Sequence, residues 1–153
     1  MPELQAECHL PVEIVGGEKI VRAIKANYHL KKGLPTWRAF KPGPEKSVVS
    51  VIRQEMGDDF CKDKSREVAA QHYVGLLVCT AAAIRGSGSS IEDYRADFCG
   101  HAHLDHGIVS PRGEPLPAAD SEKLRQKCEA ILVACDWHPD PSPEQPGWSG
   151  APL

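Results

Sequence analysis

Within Phe98-Cys99-Gly100-His101-Ala102-His103-Leu104-Asp105-His106-Gly107, three of the chain's seven histidines fall inside six residues, beside a carboxylate and a cysteine. Residues i and i+2 of an extended segment share a face, so His101 and His103 can both reach one ion. Neutral imidazole nitrogens suit zinc, and a carboxylate completes the shell or orients a water. Cys99 lies on the same alternation and would add a thiolate. A divalent metal, zinc first, held by His101, His103, Asp105 and His106 with one position open would activate water for hydrolysis. Without a metal, Asp105 orienting His103 or His106 makes a catalytic acid/base group. The plain alternative is a polar surface loop whose histidines bond backbone and water.

The run His101-Ala102-His103-Leu104-Asp105-His106 resembles the H-x-H-x-D-H signature of the metallo-β-lactamase superfamily. The resemblance implies one metal on His101 and His103 and a second on Asp105 and His106. It covers six of 153 residues, and His138 is the only later histidine. That family's two αββα halves have no room here, so only the ligand chemistry carries over.

A second group of residues is basic. Lys19, Arg22, Lys25, Lys31, Lys32, Arg38, Lys41 and Lys46 face a single acid in that span, Glu45, although the net charge is −3. Tyr28, His29, Trp37 and Phe40 are interleaved. Cations neutralise phosphates and aromatic faces stack bases, so the composition suits a nucleotide or single-stranded nucleic acid, with Arg22, Lys31, Lys32 and Arg38 on phosphate. The competing reading is a solvated, lysine-rich sheet edge. One of Trp37 and Phe40 is expected in the core, leaving at most one stacking platform. Ser87, Ser89 and Ser90 lie in a Gly-Ser loop without the strand-turn-helix context of a nucleophile elbow.

The elements that must position these residues follow from periodicity. Val12–Val15 and Glu18–Lys25 around Gly16-Gly17 predict a hairpin. Thr36–Phe40 reads as a short strand, Ser47–Arg53 as a clear one. A helix is expected from about Asp59 to Gln71, capped by Asp58 or Asp59. Tyr73–Ile84, the most apolar run, is expected to be the central strand, and Ile91–Arg95 another strand leading into the histidines. Leu124, Cys128, Ile131, Leu132 and Cys135 form one apolar stripe of a second helix. From Asp136 onward prolines dominate, with Trp137 and Trp148 as anchors.

Together these predict an α+β fold: one compact domain over 1–136, a mixed or antiparallel sheet of about five to six strands with two packed helices, and a Pro-rich tail over 137–153. No apolar run of about 20 residues could span a bilayer. The N-terminus lacks a secretion signal, which favours a cytoplasmic protein with reduced thiols. Most of the six cysteines read as small buried hydrophobes. Two functions fit. One is a small metal-dependent or His-based hydrolase of a phosphate-containing substrate. The other is a non-enzymatic adaptor that binds a protein or nucleic acid through its basic N-terminal half and Pro/Trp tail.

Overall fold

A computed structural model describes residues 8–153. Among these residues eight strands form: β1 (Lys19–Lys25), β2 (Leu30–Lys31), β3 (Leu34–Pro35), β4 (Val48–Arg53), β5 (Tyr73–Thr80), β6 (Ser90–Asp93), β7 (His101–Asp105) and β8 (Asp136–Pro139). The helices are α1 (Asp58–Ala69), α2 (Ala81–Gly86) and α3 (Ala118–Val133). Six strands make one antiparallel sheet in the order β6-β7-β4-β1-β5-β8, and β2-β3 pair separately. The fold is α+β, a single domain. No helix of the described residues is long and apolar enough to cross a membrane.

Strand alternation divides the core between the sheet's two faces. Ile20, Ile24, Val49, Val51, Leu77, Ala102 and Leu104 point toward α3, where Leu124, Cys128 and Ile131 meet them. Val21, Ile52, Leu76 and Val78 point the other way, onto Cys61 and Ala69 of α1.

Four local expectations change. The Gly16-Gly17 turn forms, but Val12–Val15 is not a strand. Both edges of β1 are already taken, by β4 and β5. The carbonyls of 11–14 are instead met by arginines: Arg53 Nη1 donates to Pro11 O at 2.5 Å, and Arg85 Nη2 to Ile14 O at 2.5 Å. Residues 37–40 form a 3-10 turn rather than a strand, which buries Ala39 and Phe40 and leaves Trp37 half-buried. The apolar run from Tyr73 breaks at Thr80, whose Oγ1 accepts from Ala83 N at 3.2 Å and caps α2. The strand it forms, β5, lies next to the edge strand β8, while β4 and β1 are the inner pair.

The fourth change is at α1. Gly57 occupies the N-cap position, and no side chain caps the helix. Its aspartates hold the end of the chain instead: Trp148 N donates to Asp59 Oδ1 at 2.7 Å and Gly147 N to Asp63 Oδ1 at 2.8 Å. The proline-rich segment enters the sheet as β8 and then lies along α1. Gly75 admits this close approach, since a Cβ there would sit 2.6 Å from His138 O. Lys62 Nζ, fully buried, pairs with Asp140 Oδ2 at 3.0 Å and donates to Ser142 O and Gly147 O. The Tyr73 hydroxyl donates to the same carboxylate at 2.6 Å.

Candidate functional site

The histidine run lies on and just beyond β7, whose pleat sorts it. His101, His103 and Asp105 project from the α1 side of the sheet, opposite Ile52, Ser50 and Val48 of β4. Across the other edge of β7, His103 and Asp105 face Glu92 and Ser90 of β6. His103, Asp105, Glu92 and Tyr94 line a cleft of about 210 Å³. His103 stacks on Tyr94 with ring centres 4.0 Å apart, and His101 stacks on Phe98 at 4.8 Å. His101 is buried, and burial first, then the nearby His103, lowers its pKa against the pull of Asp97 and Asp93.

His106 belongs to the other face. Its Nε2 lies 2.8 Å from Phe40 O and 3.7 Å from Cys128 Sγ, inside the α3-side core, and its Nδ1 lies 2.7 Å from Ser89 Oγ. Burial lowers its pKa, with a smaller contribution from Lys127, against the Phe40 carbonyl and Asp105. A proton on Nε2, donated to the Phe40 carbonyl, leaves Nδ1 to accept from Ser89; this pairing was not legible in the Gly-Ser loop. Cys99 is joined to Cys8 in a disulfide, so it offers no thiolate and the expectation of reduced thiols fails at this pair. Gly100, at φ +94°, follows directly, and any Cβ there would meet Met56. The chain thus sets His101, His103 and Asp105 on one face of the sheet, with His103 and Asp105 sharing a cleft, and His106 on the other face. Among the described residues no three His, Cys, Asp or Glu side chains come close enough to hold a metal ion.

The four basic candidates also separate. Arg22 lies where β1 and β4 part beyond Ile20 and Val21: its Nε donates to Ala39 O at 2.7 Å and its Nη1 to Ser50 O at 3.1 Å. Burial pushes its pKa down to about 10, so it stays charged at neutral pH. Lys31 and Arg38 come together with Tyr28, Leu30, Thr36, Trp37 and Arg125 around a groove of about 450 Å³. The groove is built locally. Lys32 and Gly33, both at positive φ (53° and 78°), turn β2 into β3, the geometry of a type I′ hairpin, and leave Lys32 exposed at the tip. Thr36 N donates to His29 O at 2.8 Å, bringing the 3-10 turn back beside Tyr28. His29 is buried beneath, its Nδ1 accepting from Lys25 N at 3.0 Å. Lys41 Nζ and the Arg125 guanidinium lie 5.9 and 6.0 Å from the centre of the Trp37 ring. Arg125 comes from α3 and was not singled out by the sequence, because it lies far from the basic run.

No protein-family model matches the chain, and no curated protein and no solved structure is significantly similar to it.

The two regions differ in what they can do. The β7 cleft offers one partly exposed imidazole between carboxylates. The groove offers a half-buried indole ringed by cations, an arrangement that suits a planar base followed by a phosphate.

Proposed function

We propose that this protein is a binding module for single-stranded nucleic acid or its nucleotides, with the groove around Trp37 as its contact surface. The observation that carries the reading is the meeting of Lys31, Arg38, Lys41 and Arg125 about a single half-buried tryptophan, with Tyr28 exposed beside it. Trp37 and Tyr28 would stack bases, and the cations would neutralise phosphates. Lys32, at the hairpin tip, extends the positive edge. Phe40 is core, which leaves Trp37 as the platform in the 3-10 turn.

The test is a titration of fluorescein-labelled oligothymidine followed by anisotropy at low and at near-physiological salt. Saturable binding that weakens steeply with salt is the expected result. No binding at low salt, or binding insensitive to salt, overturns the reading.

A second reading rests on the β7 cleft: His103 facing Glu92 on the same sheet face as Asp105 could act as a metal-free acid/base group on a phosphoester. Turnover of p-nitrophenyl phosphate that disappears in His103→Ala would favour it. A rate equal in the two proteins would remove it.

A further inference from the structure

We infer that the cavity between α1 and strands β1, β4 and β7 is a binding site for a small neutral ring bearing a hydroxyl, a ligand of the phenol class. The cavity measures about 160 Å³, and Val21, Ile52, Val68 and Phe98 give it an apolar wall. Of the polar residues that also line it, Ser65 from α1 and His101 from β7 are the buried ones. Both are buried, Ser65 fully and His101 to 5% exposure. Ser65 Oγ and His101 Nδ1 are the buried side-chain atoms without a hydrogen-bond partner among the described residues. Asp97 Oδ2, on a largely exposed carboxylate, lies 3.3 Å from that nitrogen and forms no hydrogen bond with it.

Two residues that each carry an unpartnered buried polar atom line one apolar cavity, which calls for a ligand with one polar group and a hydrophobic body. A hydroxyl donates and accepts at once, so it satisfies the serine and either tautomer of the imidazole. A space of roughly 150 Å³ is what a benzene-sized ring occupies.

Charge argues for a neutral ligand. The Asp97 carboxylate stands at the rim and repels an anion, the Nε and Nη1 donors of Arg22 are held by Ala39 and Ser50 carbonyls, and Lys64, over the Phe98 ring at 4.7 Å, is paired with Glu67. Val68, 56% exposed although it lines the cavity, marks the opening to solvent. The site lies on the α1 face and is independent of the Trp37 groove.

Isothermal titration calorimetry of the whole chain with phenol and with benzene tests the assignment. Phenol is expected to bind saturably and about fivefold more tightly than benzene, the increment of one net hydrogen bond. Ser65→Ala should reduce that preference, with His101 remaining as a partner, while leaving benzene binding in place. Val68→Trp, a change at an exposed position, should close the opening and remove binding of both; it carries the test if Ser65→Ala fails to fold. No saturable heat with phenol, equal affinities for the two rings in the parent protein, or phenol binding undisturbed by Val68→Trp would each overturn the inference.

Discussion

The Arg125 guanidinium stands 6.0 Å from the centre of the Trp37 ring, so α3 supplies a cation to a groove otherwise built from residues 28–38. Glu129, one helical turn along, bonds Arg125 Nε at 2.9 Å and steadies it there. If the groove binds a nucleic-acid strand, Arg125→Gln should lower the slope of log affinity against log salt by about 0.7, the value for one phosphate contact on a single strand. The fold should be unaffected, because Arg125 is exposed. An unchanged slope measured by anisotropy would remove Arg125 from the contact surface.

Asp140 ties the chain's end to α1. Burial alone would raise its pKa, but bonds from Tyr73, Ser142 N and Lys62 outweigh burial and hold the carboxyl below the ordinary carboxylate range. A depressed folded pKa gives stability that is present above the unfolded value, about 3.9, and lost as pH falls through the folded one. Asp140→Ala should cost about 3–5 kcal/mol at neutral pH, because it leaves Lys62 buried without its counter-charge. Urea unfolding at neutral and acid pH should show that cost shrinking as the pH drops.

His29 acts in a milder pH range. Burial, then the charges of Arg22 and Lys25, lower its pKa to about 3. The unfolded chain takes up a proton below about pH 6.5 while the folded chain does not, so stability falls as pH drops from there toward 3, by up to about 1.4 kcal/mol per unit. His101 and His106, also lowered by burial, add to the same trend. His29→Gln should flatten the slope of unfolding free energy between about pH 6.5 and 4 without removing it.

The Cys8–Cys99 disulfide joins residues 91 apart in sequence and fixes the start of the described chain beside β7. Closing so long a loop restricts the unfolded chain, so reduction should cost about 2–4 kcal/mol. Cys99→Ser should show the same loss, and added reductant should then lower its Tm no further. Reductant that leaves the Tm of the parent protein unchanged would count against a contribution from the bond. The buried thiols of Cys61 and Cys128, raised to about 12 by burial, are not expected to compete in exchange.

Patterns confined to a few neighbouring residues were legible in the sequence. The β-branched run at 48–53 formed as its pattern implies, and so did the apolar stripe of α3 as far as Leu132, with Cys135 beyond the helix end; the histidine segment, expected only to follow a strand, is itself strand β7. The same alternation that pairs His101 with His103 sends His106 to the opposite face, which the signature-like spacing obscured. What depends on distant partners was not legible. Val12–Val15 alternates like a strand, yet β1 has both edges occupied and Arg53 and Arg85 meet the carbonyls nearby. Phe40 and Trp37 divide between core and surface through a 3-10 turn, which no two-residue period describes. The cation from Arg125 reaches the groove only because α3 packs beside that turn.

The most direct test compares Trp37→Leu with Trp148→Leu in the same oligothymidine titration, with circular dichroism confirming that both variants are folded. Trp37 lines the groove, whereas Trp148 is tied to Asp59 and to Ala151 in the C-terminal segment. Binding should weaken roughly tenfold for Trp37→Leu, the scale of one lost stacking contact, and stay parent-like for Trp148→Leu. Parent-like affinity in Trp37→Leu, or equal losses in the two variants, would contradict the proposal.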